Sequence, residues 1–146
     1  MRSNVRVHKG QLDYFRAKAR DTNFEIHAYL VGEVVSPSLT VVDEFIYPKE
    51  YHTQKYNEVR WYAEDYERAK EKAESKGKRI VGDIHSHPNW DAVMSLTDYR
   101  SHIEEGFRIC GVCSTMGRKT RVRFWVAESA LPCKLEYSTK KAKEES

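Results

Sequence analysis

Hydrophobic and polar positions along the chain change period several times, and each change marks an element. Val5 and Val7 alternate with polar neighbours, which predicts a short first strand. Leu12, Phe15 and Ala19 then recur at helical spacing, predicting a helix over 9–20 that Asp21-Thr22-Asn23 breaks. Residues 24–35 form a strand-like, largely apolar run. Ser36-Pro37-Ser38 reads as a turn, and the β-branched, alternating residues 39–47 as the partner strand of a hairpin. Residues 48–60 lack periodicity and are rich in tyrosine and polar side chains, so a loop is expected there. Tyr62, Tyr66, Ala69 and Ala73 return to helical spacing, and Gly77 suits the end of that helix. A central strand is expected over 79–85, a helix over 95–105 with Gly106 as its stop, and a hairpin from 107–116 and 120–127 across Gly117-Arg118-Lys119. A last short strand is expected near 134–137, followed by a charged, frayed end.

Strands interleaved with three helices in 146 residues imply a single α/β domain, a curved mixed sheet flanked by helices, over 1–138 with a tail at 139–146. Composition changes this picture little. Hydrophobic residues make up 40% and charged residues 32%, ordinary for a globular protein, and the formal net charge of +3 is too small to imply nucleic acid. No apolar run approaches the roughly 20 residues that cross a bilayer. Met1 to Arg6 lacks the apolar core of a signal peptide, so a cytoplasmic protein is expected. Three cysteines, Cys110, Cys113 and Cys133, cannot all pair within one chain. Cys110 and Cys113 form a C-x-x-C, but in a strand-like run they point to opposite faces and no second pair exists. They read as buried, structural cysteines.

The candidate chemistry lies in Gly82-Asp83-Ile84-His85-Ser86-His87-Pro88, then six residues, then Ser95-Leu96-Thr97-Asp98. His85 and His87, two apart at a strand's end, leave on one face and suit two nitrogen ligands on a single ion. Pro88 ends the strand because it has no N–H for the ladder. Asp98, in the first turn of the helix over 95–105, can return an oxygen ligand. Ser95 and Asp98 also fit a capping motif at N-cap and N3, a role compatible with aiming the aspartate. Two histidines and one carboxylate leave the fourth tetrahedral position of zinc for water, as in catalytic sites. A hydrolase would also need a general base, supplied from elsewhere in the chain.

His-Ser-His-Pro, a gap of six, then Ser-x-x-Asp resembles the signature of the JAMM (MPN-type) metallopeptidases, deubiquitinases and prokaryotic peptidases among them. Gly82 fits the family's Gly-x-x-His-x-His-Pro form. Upstream, Glu25-Ile26-His27-Ala28-Tyr29-Leu30-Val31-Gly32 resembles its Glu-x-x-x-x-Leu-x-Gly segment in order and spacing. The resemblance implies the JAMM fold, distantly similar to cytidine deaminases, with one zinc ion per chain on His85, His87 and Asp98. It implies Glu25 as the acid/base and Ser95 as a donor to the tetrahedral oxyanion. The implied substrate is a peptide or isopeptide bond after the C-terminal glycine of a ubiquitin-like or sulfur-carrier protein. Met94 departs from the proline common before the serine, and the zinc-bearing insertion of some eukaryotic deubiquitinases is absent. A deaminase is disfavoured because the Pro-Cys-x-x-Cys ligand pair is missing. Two alternatives to the peptidase are a non-catalytic MPN scaffold and a metal-dependent small-molecule amide hydrolase.

Other residues carry softer expectations. His27 reads as a packed or hydrogen-bonded histidine rather than a second ligand, and His102, one turn after Asp98, as solvent-exposed. Trp90 fits either substrate contact or core packing. His52, Thr53 and Asn57 fall in the segment that borders the cleft in the family and are candidate substrate contacts. Arg118, Lys119, Arg121 and Arg123 read as a solvated sheet edge.

Overall fold

The computed structural model describes residues 3–88, 90–93 and 105–139. In chain order the elements are β1 (Asn4–His8), α1 (Lys9–Arg20), β2 (His27–Ser36), β3 (Leu39–Ile46), β4 (Tyr51–Lys55), β5 (Glu58–Trp61), α2 (Ala63–Ser75), β6 (Arg79–His87), β7 (Ile109–Ser114), β8 (Arg121–Val126) and β9 (Lys134–Ser138). Seven strands form one mixed sheet in the order β8-β7-β6-β2-β3-β1-β9, with β6 and β2 at its centre. The β6–β7, β1–β3 and β1–β9 pairs are parallel; the others are antiparallel. The two edges meet at one point, where Trp125 bridges Pro132 and the Cys133 N–H donates to Phe124 O at 2.8 Å. The expected curved α/β sheet is therefore nearly closed on itself.

Alternation divides the central strands between two cores. Ala28 and Leu30 of β2 and Ile84 of β6 point to the side of α1, where they pack with Leu12, Phe15 and Ala19. Tyr29 and Val31 point the other way and pack with Ala69 and Ala73 of α2. Gly82 of β6 sits where its neighbour strand passes too close for any side chain. A Cβ there would lie 2.0 Å from the carbonyl oxygen of Ile109, its partner on β7. Gly32 of β2 is pinched in the same way against Val41 O of β3, at a register shift. Both glycines of the family-like motifs thus have a packing reason.

The structure corrects the expected boundaries in three places. Residues 48–60, expected as a loop, form a β4–β5 hairpin turning at Tyr56 and Asn57. Its side chains are half-exposed or exposed throughout, so apolar alternation could not reveal it. The strand expected from residue 24 begins at His27, because the Glu25 N–H donates to Lys55 O in β4 rather than to a main-sheet partner. The strand expected to end at His85 runs to His87 before Pro88 stops it. Of the helix expected over 95–105, residues 95–104 lie outside the described residues, as does most of the tail. Gly106, its expected stop, adopts φ 73°, the left-handed region.

Cys110 and Cys113 are buried, as expected, and no disulfide joins them. Burial pushes the Cys113 thiol up to about 11, which keeps it a neutral packing group. Among the described residues, no helix is long and apolar enough to cross a membrane.

Candidate functional site

Asp83, His85 and His87 alternate onto one face of β6, while Ile84 faces the α1 core. Across the ladder His85 lies opposite His27, and Asp83 opposite Tyr29. This polar row occupies the last, most central stretch of the sheet, where neighbouring strands hold it from both sides. His85 and His87 are buried, at 6% and 4% exposure.

Their rings converge. His85 Nε2 and His87 Nε2 are 3.0 Å apart. Two imidazole ligands on one tetrahedral zinc, each at about 2.0–2.1 Å, would have nitrogens about 3.3 Å apart. The pair therefore fits a shared ion with a shift of a few tenths of an ångström. His87 is also held in the tautomer that ligation needs. Its Nδ1 lies 3.1 Å from Asp91 O, a carbonyl that can only accept, so Nδ1 carries the proton and Nε2 presents a lone pair. The Trp90 ring packs against His87 at 5.4 Å between centroids while remaining 44% exposed. Ser114 at the end of β7 donates its hydroxyl to Trp90 O, fixing this turn.

Asp98 and Ser95 lie outside the described residues, and so does His102. Among the described residues no group of three or more His, Cys, Asp or Glu side chains is arranged to hold one ion. The structure thus brings together two of the three expected ligands.

Glu25 is buried at 6% exposure just ahead of β2, and its main chain is clamped from two directions. On the β6 side, the Ile26 N–H donates to Ser86 Oγ at 2.9 Å, and the Ser86 N–H donates to Ile26 O at 3.0 Å. On the hairpin side, the Glu25 N–H donates to Lys55 O at 2.7 Å, and Gln54 Nε2 donates to Glu25 O at 3.2 Å. Glu25 and His85 line one cavity of about 670 Å³, within the range of small-ligand pockets.

Along the wall of this cavity runs a network that sequence reasoning did not identify. His27, fully buried, places Nε2 2.9 Å from Asp83 Oδ2 and stacks on Trp61 at 3.5 Å. The expectation that His27 is a packed, hydrogen-bonded residue therefore holds. Trp61 in turn donates its indole N–H to the Tyr29 hydroxyl. Tyr51 of β4 bridges the His27 backbone, accepting from its N–H at 3.0 Å and donating to its carbonyl at 3.2 Å. Burial raises the Tyr29 phenol well above its ordinary value. The Trp61 hydrogen bond opposes that rise, while the charges of Asp83 and Glu105 add to it. One signal was present in the sequence: Asp83 stands two residues before His85, so the strand's alternation already put it on the histidines' face.

The softer candidates divide. Asn57, in the β4–β5 turn, lines the cavity. His52 and Thr53 bond to each other, Nδ1 to Oγ1 at 2.9 Å, and His52 also meets the Tyr62 ring edge-on, away from the cavity lining. Arg121 and Arg123 are exposed on β8, the sheet's edge, as expected.

Comparison with known proteins places the fold. The fold is similar to the solution structure of protein DSY2949 from Desulfitobacterium hafniense, with a TM-score of 0.74 at 18% identity, covering 97% of this chain and 98% of that one. It is also similar to the crystal structure of AF2198, a JAB1/MPN domain protein from Archaeoglobus fulgidus, with a TM-score of 0.60 at 17% identity, covering 90% and 97%. At such identities these likenesses speak to the fold alone. Among curated proteins none matches the chain. The family of prokaryotic homologs of the JAB domain matches residues 8–128, most of the length that forms the sheet and carries the histidine pair. The chain belongs to that family, the prokaryotic homologs of the JAB domain.

Proposed function

We propose that this protein is a zinc-dependent peptidase or isopeptidase that hydrolyses an amide bond after the C-terminal glycine of a ubiquitin-like or sulfur-carrier protein. The observation that carries the reading is the convergence of His85 and His87 at 3.0 Å, with His87 tautomerically set by Asp91 O, and with His85 lining a cavity together with a clamped glutamate. The JAB/MPN family includes metal-dependent isopeptidases, which agrees with this chemistry.

His85, His87 and Asp98 would hold the ion, which when bound supplies a Lewis acid for the scissile carbonyl and lowers the pKa of water to about 7. Glu25 takes a proton from the attacking water and returns it to the departing amine. Its backbone clamps matter because a base misplaced by about 1 Å can cost about a hundredfold in rate. Ser95 donates to the oxygen that becomes negative during attack, a contribution of about 3 kcal/mol for one such donor. Trp90, packed against His87 and still 44% exposed, is the side chain proposed to contact substrate.

Glu25→Gln keeps the acceptor geometry but removes the basic carboxylate. It is expected to retain one zinc per chain by elemental analysis while losing turnover of ubiquitin-like fusion substrates. His87→Ala is expected to lose the zinc. Wild-type turnover in Glu25→Gln would show that the base lies elsewhere, and full occupancy in His87→Ala would remove that histidine from the ligand set.

A further inference from the structure

Strand pairing carries the polar face of β6 outward across two more strands. His87 lies beside Ser114 of β7, which lies beside Arg121 of β8, and the row of His85 runs through Val112 to Arg123. Directly paired residues share a face of the sheet, so both arginines stand on the histidines' side, about 10 Å away at the usual strand spacing. Val122 and Phe124, which alternate with them, pack instead into the core beneath α1. A second link is direct. Asp91, whose carbonyl accepts from His87 Nδ1 at 3.1 Å, holds its carboxylate 3.6 Å from the Arg121 guanidinium. We propose that Arg121 and Arg123 form a docking surface for acidic side chains that precede the terminal glycine of the protein substrate; the word substrate rests on the hydrolase reading, the surface on pairing and charge alone.

The charges select an anionic partner. Arg118, Lys119, Arg121 and Arg123 fall within six residues that contain no acid, and all four are exposed. These four exceed the formal net charge of +3 of the whole chain, so the remainder is slightly acidic and the positive field is concentrated here. Compensation is small. Among the described residues Asp91 is the carboxylate that pairs with this run, through an Arg121 side chain still 64% exposed, and none pairs with Arg123. Guarding a sheet edge does not require such a run, because charges of either sign protect an edge. β9, at the opposite edge, mixes Lys134 with Glu136, and Glu136 is met by Arg6 at 3.3 Å. The surface is also held in place: Arg20, at the end of α1, donates to Gly117 O at 3.5 Å and to Arg118 O at 2.5 Å, fixing the turn that leads into β8. A span of about 10 Å equals about three extended residues, so the complementary acids belong about three to five positions ahead of the terminal glycine.

The test measures binding, not turnover. Wild-type protein is titrated with acetyl-Asp-Asp-Ser-Ala-Gly-Gly, ending in a free carboxylate as a product would, and with the same peptide holding Asn-Asn or Lys-Lys in place of the acids. The readout is the NMR shift of the Arg121 and Arg123 backbone amides. The acidic peptide is expected to bind about threefold to tenfold more tightly than the Asn-Asn peptide at low salt, with Lys-Lys weakest, and the advantage should shrink as salt rises. In Arg121→Gln/Arg123→Gln it should fall below about twofold. Arg123→Gln alone leaves the Asp91 contact intact and should remove about half of it, which separates lost docking from any disturbance of His87. Equal binding of the Asp-Asp and Asn-Asn peptides, or a full advantage in the double variant, overturns the surface. So does a short oligothymidylate that shifts the same amides at lower concentration than the acidic peptide, since the face would then suit nucleic acid. Failure of the hydrolase reading is seen separately, as absence of turnover in the wild-type zinc protein. Turnover with equal peptide binding removes the docking surface alone, and an acid preference without turnover sustains it.

Discussion

Ser86 stands between the two histidines yet faces the opposite side of β6, and its removal separates stability from base positioning. In Ser86→Ala, the Ile26 N–H loses an acceptor at 2.9 Å. Ser86 is 1% and Ile26 4% exposed, so water cannot readily take the vacated place. Leaving a buried donor unsatisfied costs about 1–3 kcal/mol. With a urea dependence of about 2 kcal/mol per molar for a domain of this size, the unfolding midpoint should fall by about 1 M. The backbone bond from Ser86 N–H to Ile26 O, at 3.0 Å, survives, so β2 should stay paired while Ile26 and Glu25 gain freedom. A drift of that kind should lower kcat about tenfold to a hundredfold. Zinc content should not change, because the histidine rings are set by β6 itself. The assay therefore has three readings on one variant: urea midpoint, zinc per chain and kcat. An unchanged midpoint would mean that the bond contributes nothing, and a lowered midpoint with wild-type kcat would mean that Ser86 does not position the base.

Two further predictions concern the scaffold. Gly82→Ala forces a Cβ to within 2.0 Å of Ile109 O, so β6 and β7 must part by more than about 1 Å; a loss of about 3 kcal/mol or more is expected, read as a lowered urea midpoint or insoluble protein, and a variant as stable as the parent would contradict the pinch. Cys113 titrates near 9 when unfolded and about 11 when folded because burial disfavours its thiolate. The stability it contributes is complete below pH 9 and is lost as pH rises towards about 11. Cys113→Ala should therefore show a shallower decline over that window in pH-dependent denaturation, and an unchanged slope would refute the assignment.

The parts of this molecule that could be read in the sequence are those with a strong period or a fixed spacing. α1 and α2 were legible because Leu12, Phe15, Ala19 and Ala69, Ala73 repeat at helical intervals and are buried. β6 was legible because Pro88 closes an apolar run, and His85 and His87 share a face by simple alternation. The β4–β5 hairpin was not, since neither of its faces is buried enough to impose an apolar pattern. Partners that meet only through register escaped for a different reason. Nothing local to His27 announces Asp83, 56 positions away, or the Trp61 ring stacked on it; their meeting depends on β2 lying beside β6 and on the hairpin folding over both. Glu25 was singled out by its interval to Leu30 and Gly32, and it precedes the strand rather than lying within it.

The small β4–β5 sheet shares no strand with the main one, yet it grips Glu25 through Lys55 and Gln54 and holds His27 through Tyr51. The two halves of the site thus rest on foundations of unequal stiffness: histidines on the most deeply embedded strand, and a carboxylate tethered to a peripheral ribbon. Amide hydrogen exchange would expose that inequality. The Glu25 amide should exchange whenever the ribbon lifts, far sooner than those of Ile84 or His85, which wait for global unfolding. Under the proposed mechanism, fluctuation of the ribbon would then disarm the base while leaving the ion seated.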